Sequence, residues 1–433
     1  MIAVVSAAIG TPLRRTFNCV YCNLYPLDTV KLEGSMIMIK PVLPGLRVLI
    51  SGAGIAGPAL AYWLSRHGAD TTVVEIAPEL RTSGFAVDFR GPTHLGVLSK
   101  MGVLEELRAL QTHGGAMRWV NEHDRQIFEL PAEFAGGEIE ILRRDLSRVL
   151  YERSVERTEY LFGDVIADAA ETADSIEVEF SRHGTRTYDM VIGADGLHSG
   201  VRRIAFGPEQ RYVRHLGYYV AGWQLPNSPA VDATPQLYNV PGRMISVSAD
   251  QHDPDRADVF AMFASPRLDC DWHDLEQQKE FIADAFHGLR WHVPRLLAGL
   301  RDAPELYFDS ISRVRVPTWS SGRAALLGDA AWGLTLGGMG VGTSIVGAYV
   351  LAGELAAAGG DHRTGFAAYE SRMRSYAARW QRGANPGTFL APASALGLRF
   401  RNTLFSTRLV QKLLISSTKS VATGADLPEY TLT

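Results

Sequence analysis

Cysteine is nearly missing from this chain, with three among 433 residues, at positions 19, 22 and 270. Three cannot make a disulfide framework, so a reducing cytoplasm is the expected compartment. Cys19 and Cys22 form a C-x-x-C, but no further Cys or His stands nearby at the spacing a zinc site needs, and no metal is expected. A strong charge of either sign is lacking as well. Lys and Arg total 43 against 47 Asp and Glu, a net −4, which offers no basic face to nucleic acid. No stretch approaches the ~18 or more uncharged apolar residues of a spanning helix, and the apolar opening Met1 to Gly10 has no basic residues before it. Neither a nucleic-acid nor a membrane partner is expected. Internal repeats and low-complexity tracts are also absent.

What is present is an ordinary globular composition, 46% apolar and 21% charged, in a chain long enough for two domains that share an interface. A monomer or homodimer is expected. Residues 1–45 have a mixed character unlike the rest of the chain and read as a loosely ordered extension, with a short structured appendage as the alternative. Leu46 to Ser51 is a short apolar run, followed by glycines, then by apolar positions at helical spacing (Ala59, Leu60, Trp63, Leu64) closed by Gly68, and then by a second strand, Thr71 to Glu75. Further helices are predicted over Leu95 to Leu110, Ile139 to Arg153 and Thr343 to Leu355. The alternating, aromatic stretch from Tyr212 to Phe263 predicts a sheet with one face buried and one free for a ligand.

The first motif is Gly52-Ala-Gly54-Ile-Ala-Gly57, lying between strand and helix. Gly52 permits the tight turn, Gly54 admits a pyrophosphate to the backbone, and Gly57 allows the helix to pack on the strand, with Ala56 beside it. The free N–H groups and the positive end of the helix hold phosphate. Glu75, ending the second strand, would accept a hydrogen bond from a ribose hydroxyl. This motif alone does not separate FAD from NAD.

Two later motifs do. One is Gly193-Ala-Asp195-Gly196-Leu-His-Ser199, and the other is Gly328-Asp329-Ala-Ala-Trp332 with the glycine loop Gly337-Gly-Met-Gly340-Val341-Gly342. With the first motif, in this order, the chain resembles the class A flavoprotein monooxygenases of the para-hydroxybenzoate hydroxylase kind, over residues 46 to the end. The segment Arg81 to Gly91 and the ending Ala425 to Tyr430 resemble the tetracycline-inactivating branch. The resemblance implies an α/β fold: a Rossmann-like FAD-binding domain (46–210 and 313–390, with part of 85–140 in the substrate domain), an inserted β-sheet substrate domain (211–312), and a C-terminal bridging helix and tail (391–433). It implies that Asp195 and Gly196 touch FAD and a transient NADPH or NADH, that Arg143 lies near the ribityl chain or flavin ring, and that Gly84 and Asp88 lie in a loop crossing near the flavin. Asp329 would accept a ribityl hydroxyl. The N-terminus of the next helix, with Gly340 and Gly342 bare of Cβ atoms, would favour negative charge on reduced flavin. The sequence departs from the resemblance at Trp332 and at Leu334 to Leu336.

As the resemblance implies, NAD(P)H reduces FAD, O₂ adds at C4a, and the hydroperoxide passes one oxygen atom to an aromatic or polyketide-like substrate. A tetracycline is one candidate. Gln224, Tyr238, Arg243 and Trp332 are the expected pocket residues. His198, His215 and His292 read as ordinary core or surface histidines. No nucleophile–base pair stands out. The alternatives are a flavin dehydrogenase, reductase or halogenase without oxygen insertion, and a flavin-binding protein without activity.

Overall fold

The structure is a computed structural model that describes residues 29–32, 35–38, 42–80, 85–112, 115–132, 137–269, 274–381, 385–407, 410–411 and 427–430. Cys19, Cys22, Cys270 and Gly84, and whatever was expected of them, lie outside the described residues. Strands Thr29–Leu32 and Ser35–Met38 form an antiparallel hairpin in a unit of their own. The larger unit begins at Val42 and contains both of the main sheets.

Val48, Leu49 and Ile50 are fully buried, because strand Arg47–Ser51 lies in the middle of a sheet covered on both faces. The sheet order is Ser320–Ser321, Ala324–Leu326, Met190–Gly193, Arg47–Ser51, Asp70–Glu75, Thr158–Phe162. All but the short edge strand run parallel. The ends Ser51, Glu75, Gly193 and Leu326 therefore open on one side, where open α/β sheets bind their ligands. This register brings together three motifs that lie more than 120 residues apart in sequence.

A second, seven-stranded sheet has the order Tyr307–Val314, Val213–Pro226, Arg256–Ala264, Arg243–Ala249, Gln236–Val240, Met117–Val120, Gln126–Leu130. Its pairs are antiparallel except Gln236–Val240 with Met117–Val120. One face packs against helices Leu275–Phe286 and Val293–Asp302 in a core of its own. The mixed α/β architecture is the one the family resemblance implied.

Several element expectations need correction. The expected helix Ile139 to Arg153 is a strand, Ile139–Leu142, running into a helix, Arg143–Ser154. Its first residues alternate buried and half-buried, the strand period, and they pair with Ala86–Phe89. Asp88 therefore lies in a strand and not in a loop. The expected helix Leu95 to Leu110 is two helices, Gly91–Lys100 and Leu104–Ala109, parted at Gly102, which takes a φ of 72°. The glycine-loop helix spans Gly340–Ala357, and by length and composition it is apolar enough to cross a membrane. Its burial between helices Ala56–Arg66, His362–Gln381 and Gly91–Lys100 gives that composition a different cause.

Candidate active site

Gly52 follows strand Arg47–Ser51 with φ 104°, and its amide donates to the carbonyl of Val74 at 2.7 Å. A Cβ there would lie 2.6 Å from the Ala194 carbonyl oxygen, so only glycine fits between the strand ends. A Cβ on Gly57 would come within 1.9 Å of the Gly52 oxygen, which seats the helix directly on the turn. Gly54 meets nothing closer than Arg143, whose guanidinium reaches over it and makes no hydrogen bond among the described residues. Ala56 lies beside Gly328, so the first and third motifs touch. The Glu75 carboxylate accepts from the amides of Ala53 (2.8 Å) and Ala77 (3.0 Å), which fixes it at the end of its strand.

Asp195 accepts from Ser51 Oγ and the Val201 amide through Oδ2, both at 3.1 Å. Its Oδ1 is buried with no partner among the described residues, and burial raises its carboxyl pKa. Gly196 follows with φ 78°. Arg202 is fully buried and donates to the carbonyls of Leu197 (2.6 Å) and Ala330 (2.9 Å), joining the second and third motif loops. Asp329 opens onto the groove beside the first turn of helix Gly340–Ala357; a Cβ on Gly340 would lie 3.3 Å from its Oδ1. The protein around that carboxylate raises its pKa by desolvation, with Arg143 opposing and Asp309 adding. The first-turn amides of Gly340, Val341 and Gly342 have no partner within the helix.

Gly342 is small for another reason than ligand approach. Its Cβ would sit 2.3 Å from the ring of His94, which no sequence signal singled out. His94 is buried with Nδ1 facing the Arg90 amide (3.3 Å) and Nε2 facing Tyr376 Oη (3.0 Å), and burial lowers its pKa to about 4. Leu336, in the glycine loop, holds a φ of 54°, a strained value for a branched residue.

Next to this groove lies a cavity of about 960 Å³, at the upper end of the range for small-molecule sites. It runs from the loop Leu336 to Met339 to the face of the seven-stranded sheet opposite helices Leu275–Phe286 and Val293–Asp302, walled by Phe85, Met117, Leu237, Phe260, Tyr307 and Leu390. Phe85 enters because Gly222 leaves it room, and its ring meets Phe260 and Tyr307 edge-on at 4.8 and 5.2 Å. The polar end is built on Gln224, whose amide nitrogen donates to Asp250 (2.8 Å) and Asp258 (2.9 Å); Arg144 reaches the same Asp250 oxygen at 3.3 Å. Burial raises the pKa of Asp258, with Asp250 adding.

Of the four expected pocket residues, only Gln224 lines this cavity. Leu237, Ser246 and Ser248 face it, so Tyr238 and Arg243, one step out of phase on the same strands, point to the opposite side. Tyr238 packs on Trp291 at 5.5 Å, and Arg243 donates to the Ala285 carbonyl at 2.8 Å. Trp332 is buried against Trp319 and Tyr369, behind Gly347. His215 contacts the Ser265 carbonyl, and His292 lies 3.4 Å from Asp124. His198 is not an ordinary histidine: each ring nitrogen faces a carboxylate.

A glycine cradle, a fixed ribose-type acid, a buried carboxylate oxygen with no partner among the described residues and an open carboxylate at a helix N-terminus all fit a flavin dinucleotide, with a ligand cavity adjoining. Together these features describe a site suited to an FAD-dependent oxidoreductase. The profile of the FAD binding domain family matches residues 45–217. The chain is 31% identical over 391 residues to a flavin-dependent monooxygenase of Legionella longbeachae, covering 89% of this chain and 98% of that one. Among solved structures, tetracycline destructase Tet(55) is 32% identical with a TM-score of 0.74, covering 90% of this chain and all of its own. Tetracycline destructase Tet(51) is 29% identical with a TM-score of 0.77, covering 89% and 100%. The chain belongs to the class A FAD-dependent monooxygenases, near the tetracycline-destructase branch.

Proposed function

We propose that this monooxygenase takes electrons from NADPH or NADH and hydroxylates a flat aromatic or polyketide-like molecule, with tetracycline-type phenols as the first scaffold to try. One observation carries the reading: the cavity meets the groove at the glycine loop, so a substrate on the sheet face abuts the end of the groove where the flavin ring would lie. Bound FAD would supply the redox chemistry, accepting a hydride and activating O₂ so that one oxygen atom enters the substrate and the other leaves as water.

The chain's own residues bind, orient and exclude water. Gly52, Gly54, Ala56, Gly57 and Glu75 would hold the adenosine and pyrophosphate end, and Arg143, Asp195 and Gly196 the middle. Gly328 and Asp329 would take the ribityl chain. The amides of Gly340, Val341 and Gly342 would offset negative charge at the ring. Phe85, Phe260 and Tyr307 line the cavity, and their apolar wall would keep water from the reacting edge. Gln224 would orient the substrate, since both of its N–H groups are committed and its carbonyl oxygen is left to accept a hydroxyl or amine.

The test is a reaction of FAD-loaded protein with NADPH or NADH, O₂ and a panel of tetracyclines and polycyclic phenols, followed by mass spectrometry. The expected result is substrate-dependent NAD(P)H oxidation with a product heavier by one oxygen atom. NAD(P)H oxidation that never yields such a product across the panel would refute the reading.

A further inference from the structure

His198 stands three residues after Asp195 in the second motif loop, with Nδ1 3.0 Å from Glu209 Oε2 and Nε2 3.2 Å from Asp309 Oδ1. An ionised carboxylate only accepts hydrogen bonds, so both ring nitrogens must donate, and only the doubly protonated ring does so. Glu209 begins the short helix Glu209–Arg211 that leads into strand Val213–Pro226, and Asp309 lies in strand Tyr307–Val314. The ring thus joins the motif loop to two points of the seven-stranded sheet and its entry.

The two carboxylates are not equivalent. Glu209 also has Arg202 at 3.6 Å and Arg267 at 3.9 Å. Asp309 has no second cation among the described residues; it otherwise accepts from the backbone and hydroxyl of Ser310. Losing the ring's charge would leave Glu209 with two cations and Asp309 with none among the described residues. Strand Tyr307–Val314, which carries Asp309, packs against the short helix Asp329–Trp332, and the Asp309 charge pushes the Asp329 carboxyl toward its neutral form. FAD held in the groove would, once reduced, add negative charge to the same neighbourhood.

We propose that His198 is a positioning residue for the flavin site: as an imidazolium between Glu209 and Asp309, it fixes the Asp195–Gly196 loop to the sheet and weakens the charge that Asp309 casts on Asp329. The two carboxylates outweigh desolvation and raise the ring's pKa to about 9, so the charge is present across the neutral range. Through Asp309 it favours reduced flavin.

The experiment is potentiometry on FAD-loaded wild type, H198Q, D309N and the double variant, beside a histidine carbon NMR titration of wild type and D309N. H198Q is expected to bind reduced flavin about tenfold less well relative to oxidised, a fall of ~30 mV for a two-electron couple. D309N shows no fall, and the double variant returns to within about threefold of wild type, a rescue that a purely structural role would not give. An unchanged potential in H198Q, or a double variant as low as H198Q, overturns the proposal. Should H198Q fail to hold FAD, the wild-type titration decides: a midpoint near 9 that drops in D309N supports the clamp, and an ordinary midpoint near 6.5 in wild type overturns it. The inference rests on FAD filling the groove, but the titration needs no flavin, so a failure of the flavin reading is told apart from a failure of the clamp.

Discussion

The groove and the cavity adjoin at one loop, yet they are built in different ways. The groove is made of backbone: turns at the ends of neighbouring parallel strands, each needing a glycine or a carboxylate at one fixed place. The cavity is made of side chains on strands of alternating face, where a shift of one residue moves every group to the other side. The first kind of construction tolerates almost no change in shape. The second tolerates change in shape and is sensitive to which face a residue takes.

The contrast predicts its largest effect at Gly57. Gly57→Val must push helix Ala56–Arg66 off a carbonyl oxygen that a Cβ would approach to 1.9 Å. Backbone cannot rotate away as a side chain can, so a loss of more than about 3 kcal/mol is expected. Thermal melting and retention of FAD would show it, and a Gly57→Val protein that melts within a few degrees of wild type would break the contrast.

The next effect depends on pH. His94 is held neutral inside the protein, behind the glycine loop, with a pKa of about 4 against an ordinary 6.5. As pH falls below about 6.5 the unfolded chain takes up this proton before the folded one does. Stability contributed by the neutral ring is therefore complete above 6.5 and is lost progressively down to about 4, by up to about 3 kcal/mol. Denaturant melts of wild type and His94→Gln between pH 4 and 7 check this, and the variant's curve should be the flatter of the two.

These two residues also show what the sequence could and could not disclose. Gly52, Gly57 and Glu75 were legible because a strand, a turn and a helix set their spacing locally. The parallel register then explains why Asp195 and Asp329 join them. Gly342 was legible as a required glycine, but the reason lay in the ring of His94, 248 positions away in sequence, and a lone histidine carries no mark of that. Tyr238 and Arg243 were misplaced because an alternating strand reveals two faces without saying which one the helices cover. Helices Leu275–Phe286 and Val293–Asp302 cover the face that holds both residues. The strand Ile139–Leu142 was hidden inside an apparent helix because its partner, Ala86–Phe89, is distant in sequence.

A smaller effect is expected at Asp329. Asp329→Ala removes one charged acceptor at an open position without disturbing backbone, so the protein should fold while FAD binds about 30-fold more weakly, or about 2 kcal/mol. Fluorescence titration of the apoprotein with FAD measures this. Unaltered affinity would mean that the carboxylate faces the groove without contacting the cofactor, and would shift the weight of the site onto Asp195.

The smallest effect tests the cavity by its faces. Gln224→Ala takes the shared donor from Asp250 and Asp258 and an acceptor from the cavity, so a tetracycline that perturbs the flavin spectrum should bind about fivefold more weakly, with FAD affinity unchanged. Arg243→Ala, on the same sheet, loses its bond to the Ala285 carbonyl and should lower the melting temperature while leaving ligand affinity alone. The pair matters more than either variant. If Arg243→Ala weakens the ligand and Gln224→Ala does not, the substrate lies on the helix-covered face, and the large cavity beside the glycine loop is not where the oxygen is delivered.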